Sequence, residues 1–400
     1  MACALNPDLK NKPVAVGGSK EDRHGIILAK NGPAKKYGVQ TGEVLWQAKR
    51  KCPSLIIVPP QYDQYSKYSK LVRKIYERYT DQVESFGIDE CWLDITGSTH
   101  LFGNGYEIAY KIKESIKNEL DLTASIGVSF SKILAKLGSD IAEADSILEI
   151  KKDTFAEQIW HLPARALLGV GRRIEKRLIS YGIQTIGDLA SANPHSLKAR
   201  LGINGYRLWE YANGLDQSTV SSVEVLRVPK SISCGITCFV DLQNNYEVKQ
   251  VIIELAQSIS QKMRKNNLAA QTVAIWLRRN TLGYESYQGR LKRPTQSFKD
   301  IVDFAYNLLI DNYEWPQNIR SVTIGIYDLI PNPQNIQLNF FEDYRQIVKT
   351  EQVELVIQKI RHRFGYEAIR PASSIYNLKM RSYYRGCINT LPSGNFLNRF

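Results

Sequence analysis

The chain reads as a multidomain protein of the α+β class, and three observations predict it. Its 400 residues exceed what one hydrophobic core normally holds, which implies roughly two to four domains. Strand-like and amphipathic helical segments alternate across 61–152 and again across 234–332, the order expected of helices packed on sheets. Between them, 153–220 changes to short helices separated by glycine turns. A composition of 43% hydrophobic and 23% charged residues belongs to a folded chain, not a disordered one.

Charge and cysteine usage narrow the function classes. The formal net charge of +13 points to a polyanionic partner, nucleic acid first, although basicity alone never establishes binding. The six cysteines (Cys3, Cys52, Cys91, Cys234, Cys238 and Cys387) form no CxxC pair and have no histidines at metal spacing. That argues against structural zinc and against a disulfide framework, and fits reduced thiols. No apolar run approaches the about 18 residues of a membrane span, and the N-terminus lacks a signal-peptide pattern. The expected location is cytoplasmic, with no membrane partner.

In chain order, a short helical MACAL and a turn at Asn6-Pro7 precede the first strand, Pro13-Val14-Ala15-Val16, which ends at Gly17-Gly18. A strand this early reads as a domain without its beginning. Residues 19–60 are basic and form small pieces: a strand over 26–29, a short helix over 34–38 with Gly38 at its C-cap, a helix over 43–51 and a strand over 55–58. Residues 62–79 place Tyr65, Tyr68, Leu71, Val72 and Ile75 at helical spacing, a stripe that reads as core.

The stretch 83–96, VESFGIDECWLDIT, alternates with a period of two on either side of Asp89-Glu90. It predicts two short antiparallel strands with the two acids at their connection. The plain alternative is a polar turn. An amphipathic helix over 105–120, a strand over 122–128 and a helix over 129–142 follow, and Lys132 and Lys136 are expected to face the acids. Carboxylates on rigid strand ends beside basic groups are what a two-metal phosphoryl-transfer site requires.

Within 153–220, Leu167-Leu168-Gly169-Val170-Gly171-Arg172-Arg173 followed by 174–181 reads as a helix-hairpin-helix. Its glycines let backbone amides approach a phosphate, and Arg172, Arg173 and Lys176 add charge. Residues 221–233 carry few core signals and read as a linker. Strands over 235–241, 269–279, 284–291 and 319–329 with helices over 246–265 and 297–310 make a second α+β unit. Arg278 and Arg279, with Arg264, Arg290 and Arg293, are placed to track a nucleic-acid backbone. Gln337-Leu338-Asn339-Phe340-Phe341, after a proline break, is a candidate docking peptide, and a last helix is expected over 353–364.

With these motifs in this order the sequence resembles the Y-family translesion DNA polymerases, in their UmuC-like (ImpB/MucB/SamB) DNA-repair branch of Gram-positive type. The resemblance runs from about residue 5 to about residue 370 and is strongest over 6–18, 86–98, 123–140 and 168–190. It implies a right-hand polymerase: palm at 1–18 and 61–152, small fingers at 19–60, helical thumb at 153–220, linker at 221–233, α+β little finger at 234–332 and a tail at 333–400. It implies that Asp89 and Glu90 are the catalytic, metal-binding acids holding two Mg²⁺ ions, and that Lys35 meets the incoming deoxynucleoside triphosphate. It also implies that Gln337, Leu338, Phe340 and Phe341 bind the sliding clamp.

The departures from that family's pattern carry expectations of their own. Family members open with a strand bearing another metal-binding aspartate, and this chain starts just after the matching point. Gly32 stands where the family usually has a tyrosine, Lys35 where it has an arginine, and Glu143 where a lysine often closes the pocket. The expected function is therefore template-directed nucleotidyl transfer opposite damaged bases, impaired in this chain. The alternative is a catalytically inactive repair accessory that binds primer-template DNA and the clamp.

Overall fold

The computed structural model describes residues 1–18, 25–223, 229–332 and 343–372. A short helix α1 (Ala2–Leu5) leads to β1 (Val14–Gly17), the middle strand of a three-stranded sheet. β2 (Ile27–Lys30) pairs with it antiparallel and β3 (Ile56–Val58) parallel. The connecting helices α2 (Gly32–Lys36) and α3 (Leu45–Lys51) close a small core of Ala15, Ile27, Ala34, Ala48 and Leu55. Asn31 fixes the entry to α2: its side chain accepts from Ala34 N at 3.1 Å and Val14 N at 3.0 Å.

α4 (Tyr62–Tyr76) precedes the expected hairpin, β4 (Val83–Ser85) and β5 (Cys91–Leu93), which pair antiparallel with Glu84 opposite Trp92. A single turn, α5 (Thr99–Phe102), leads to α6 (Gly105–Leu120). α6 begins at an Asn104–Glu107 capping box, and α4 and α6 share a core of Ile75, Ile108, Ile112 and Ile116. β6 (Ile126–Ser129), α7 (Lys132–Ile141) and β7 (Ile147–Ile150) form a parallel crossover unit. The strand starts four residues later than 122–128 suggests, because its partner β7 begins at Ile147 opposite Ile126. Ser131 caps α7 by accepting from Leu134 N.

Ile133, Leu134 and Leu137 of α7 enter one core with the next helices, α8 (Phe155–Ile159), α9 (Arg172–Ser180), α10 (Ile186–Ser191), α11 (Pro194–Leu201) and α12 (Ile203–Ala212). Residues 219–223 then run beside β4, with Val223 N donating to Asp81 O at 3.1 Å.

The second α+β unit comprises β8 (Ile232–Leu242), α13 (Asn245–Lys265), β9 (Leu268–Arg279), β10 (Tyr284–Thr295), α14 (Phe298–Asn312) and β11 (Ile319–Tyr327). Its strands run β10-β9-β11-β8, all antiparallel, and β12 (Ile330–Pro331) pairs with β9. Val273, Ile275 and Leu277 of β9 pack with α13 and α14 on one face. By strand alternation, Trp276 and Arg278 lie on the other.

A final helix, α15 (Tyr344–Phe364), is nine residues longer at its start than periodicity suggests. Its buried Glu354 accepts from Ser297 Oγ at 2.7 Å, Phe298 N at 3.2 Å and Lys299 N at 3.3 Å, at the N-terminus of α14, and pairs with Arg264. Arg264 is thus an internal tie and not an open backbone contact, and Arg293 is likewise held, 2.7 Å from Asp300. The candidate docking peptide Gln337, Leu338, Phe340 and Phe341 lies outside the described residues. No described helix is long and apolar enough to cross a membrane.

Candidate active site

The corner between β4 and β5 is built by the backbone first. Phe86 N and Gly87 N both donate to Glu90 O, at 3.0 and 3.1 Å, which closes the hairpin turn over Gly87. Phe86 then stacks on Trp92, with ring centroids 4.7 Å apart. On this frame Asp89 is exposed and the Glu90 side chain is 41% exposed. A Cβ added to Gly87 would lie 3.3 Å from Asp89 Oδ1 and 3.8 Å from Glu90 Oε2. Both carboxylates therefore lie beside the same glycine, whose missing side chain leaves them room.

Lys136 of α7 closes the corner from the other side. Its Nζ lies 3.1 Å from Glu90 Oε1 and also pairs with Asp140 one turn further on. Burial disfavours its charge, but the hydrogen bonds to Asp140 and Glu90 outweigh that and raise its pKa above the ordinary lysine value. Behind the corner, burial raises the Tyr76 hydroxyl well above its usual range, and the charges of Cys91 and Asp89 add to the effect. Burial likewise raises the Cys91 thiol.

Of the two lysines expected to face the acids, Lys136 does and Lys132 does not. Lys132 points into the fold: its Nζ lies 2.7 Å from Glu84 Oε2 and 4.6 Å from the Trp92 ring centroid. Glu84 is a residue that alternation alone hides, because it sits between Val83 and Ser85 and its partner is on a distant helix. Lys35 is exposed on α2 and makes no ion pair or hydrogen bond with either acid. Glu143 is exposed just past α7.

Two neighbouring carboxylates are hard oxygen donors, the chemistry that suits a divalent cation whose remaining ligands are water or substrate oxygens. Among the described residues no group of three or more histidine, cysteine or acidic side chains gathers around a metal position.

The helix-hairpin-helix residues form a second exposed constellation. Gly169 takes φ +95°, open to glycine, and Gly171 is the extended N-cap of α9. Arg172, Arg173 and Lys176 project from the first turns of α9 into solvent. On β9 the two expected arginines part company. Arg278 lies on the uncovered face, 5.2 Å from the Tyr284 ring centroid, whereas Arg279 pairs with Glu285 at 3.5 Å on the helix-covered side.

Comparison with known proteins matches each part of this architecture. Residues 1–140 match the impB/mucB/samB family, 229–340 that family's C-terminal domain, and 165–216 the thumb domain of DNA polymerase iota. The chain is 43% identical over 368 residues to DNA polymerase IV of Acetivibrio thermocellus, covering 92% of each. It is 35% identical over 379 residues to DNA polymerase IV 2 of Bacillus subtilis, covering 93% of this chain and 90% of the relative. Among solved structures, a chimera of the Y-family polymerases Dbh and Dpo4 superposes with a TM-score of 0.73 at 24% identity, covering 83% of this chain and 96% of that one. An insertion ternary complex of Dbh DNA polymerase gives 0.59 at 23%, with 84% and 96% covered.

The fold is accordingly that of a multidomain right-hand polymerase, with a helical thumb and a C-terminal α+β domain. The chain belongs to the impB/mucB/samB family, the UmuC-like Y-family DNA polymerases.

Proposed function

We propose that this chain carries out template-directed nucleotidyl transfer onto a primer 3′ end, of the damage-bypass type, with primer-template DNA and a deoxynucleoside triphosphate as substrates. The observation that carries the reading is that Asp89 Oδ1 and Glu90 Oε2 both lie next to Gly87 at the β4–β5 connection, with Lys136 Nζ 3.1 Å from Glu90 Oε1. Relatives named DNA polymerase IV support the reaction class. The domain assignment that goes with it is palm at 1–18 and 61–152, fingers at 19–60, thumb at 153–220, linker at 221–233, little finger at 234–332 and tail at 333–400.

In this reading Asp89 and Glu90 hold divalent cations, two Mg²⁺. When bound, these supply charge neutralisation at the phosphates and acidify the primer hydroxyl. The residues of the chain provide the setting. The β4–β5 turn fixes the carboxylates before substrate arrives, so little reorganisation is needed on binding. Lys136 neutralises Glu90 until then and has Asp140 as a second partner to which it can turn. Lys35, exposed on α2, offers a single positive charge to the triphosphate, without the bidentate fork an arginine has. Gly169, Gly171, Arg172, Arg173 and Lys176 grip a DNA phosphate at the N-terminus of α9. Arg278 meets the backbone from the sheet face opposite the helices, and Arg279, paired with Glu285 on the helix side, adds its charge at the same strand end. Gln337, Leu338, Phe340 and Phe341 dock on the sliding clamp.

We further infer that synthesis by these 400 residues is slow, because the described acids are only two and one oxygen of Glu90 is held by Lys136. Primer extension on a lesion-bearing template with the purified chain tests both points. Weak extension is expected, falling about a hundredfold or more in Asp89→Asn and Glu90→Gln with DNA affinity retained. Rapid synthesis overturns the inference of impairment. DNA and clamp binding with no extension at any cation concentration favours the accessory reading, for which the two-acid site is the supporting observation.

A further inference from the structure

The buried ion pair behind the acid corner does more than hold two strands to a helix. Glu84 is buried, at 4% exposure, and Lys132 sits against the indole of Trp92, whose Nε1 donates to Lys132 O at 2.9 Å. Both charged groups also reach a third segment of the chain. Glu84 Oε2 accepts from Ser221 N at 2.9 Å, and Lys132 Nζ donates to Thr219 O at 3.2 Å. Val223 N adds its bond to Asp81 O at 3.1 Å, just ahead of β4. The stretch 219–223 follows the last thumb helix, α12, and leads to β8.

We infer that Glu84 and Lys132 are positioning residues: a charged latch that clips the thumb-to-little-finger connection onto the palm, one helical turn of α7 from Lys136 and the acid corner. The backbone atoms of Thr219 and Ser221 are suited to the task because they bind the pair whatever the side chains are. The chain between Ala212 and Ile232 is roughly twenty residues and, unlatched, spans up to about 70 Å. Latched at Val223 it is roughly nine residues and spans about 30 Å. The latch thus confines the little finger near the site at which the thumb and palm present a primer end. A tether shortened by about half raises the effective concentration of the second DNA-gripping domain about threefold, following the −3/2 power of length.

The inference rests on the polymerase reading only for what the latch positions, and the latch itself is read without DNA. The full chain is compared with Glu84→Leu/Lys132→Met, which removes both charges together and leaves neither buried alone. It is also compared with Ser221→Pro, which removes the amide hydrogen that Glu84 accepts, along with the serine hydroxyl, and leaves both members of the ion pair in place. Hydrogen exchange at Val223 is expected to rise about tenfold in both variants, and at Ser221 in the double variant, with α6 amides unchanged. Affinity for a primer-template, by fluorescence anisotropy, should weaken about threefold in both. Unchanged protection of Val223 in either variant overturns the latch, as does protection lost equally along β4, β5 and α6. Faster exchange with unaltered DNA affinity overturns its positioning role and leaves the polymerase reading untouched.

Discussion

Single residues at this site do their work by what they leave room for as much as by what they contribute. Gly87 leaves room for the Asp89 and Glu90 side chains beside it, and Gly127 allows α7 to lie on β6. A Cβ at Gly127 would meet Ala135 O at 1.9 Å and Ser139 N at 2.5 Å, backbone atoms that no rotamer change can move. Gly127→Ala must therefore lift α7 off its sheet, at a cost of about 3 kcal/mol, and carry Lys132 and Lys136 away from Glu84 and Glu90. Gly97→Ala has open space around it and should stay within about 0.5 kcal/mol of the parent. Urea denaturation of the two variants checks the contrast, and equal midpoints would refute it. The acids themselves are legible in the sequence, because adjacent carboxylates at a break in strand alternation are a local signal. Glu84 is not, because what distinguishes it from any strand glutamate is a lysine 48 positions away and an amide 137 positions away.

Elements were legible where their ends are written in side chains. α6 runs over the expected 105–120 since Asn104 and Glu107 cap its start and Asp121, with φ +50°, ends it. α15 carries such a cap too, since the Asp343 side chain accepts from Arg345 N and Gln346 N, but its apolar periodicity marks a helix only from 353. Its docking depends on Glu354 filling the N-terminus of α14, which is a tertiary fact. α7 is the element on which most depends, with Leu134 and Leu137 in the thumb core and its lysines at the acid corner. Within the thumb, α10 shows how a cap becomes pH dependence. Asp188 Oδ2 accepts from Thr185 N and Gln184 N, both at 2.9 Å, and these backbone bonds hold its pKa below the usual carboxylate value. A group with a lowered folded-state pKa stabilises the fold above its unfolded pKa, near 4, and that stabilisation fades as pH falls through the folded value. Asp188→Asn should therefore cost only roughly 0.5 kcal/mol at neutral pH, because the carboxylate is exposed and solvent screens it, and progressively less below about pH 4. Thermal melts at pH 7 and near pH 3 check it, and a difference that grows on acidification would contradict the assignment.

For the molecule as a whole, the excess of 13 positive charges matters only where it is free to meet phosphate. Part of the basic charge read from sequence is spent internally: Lys132 on Glu84, Lys136 on Glu90 and Asp140, Arg264 on Glu354, and Arg293 on Asp300. Arg172, Arg173 and Lys176 are different, since all three are exposed at the start of α9 and none forms an ion pair among the described residues. If they meet phosphate as proposed, counter-ion release gives them a measurable share of DNA binding, because each phosphate contact contributes about 0.9 to the slope of log affinity against log salt. Arg172→Ala/Arg173→Ala should reduce that slope by about 1 to 2 and weaken binding alike on all sequences. Arg293→Ala should leave the slope unchanged while lowering stability, because its charge is already satisfied by Asp300. Salt titrations of duplex binding separate the two classes of arginine. A slope that falls as much on losing Arg293 as on losing the thumb pair would mean that the internal ion pairs open on DNA, and the division of the basic surface drawn from the free chain would not hold in the complex.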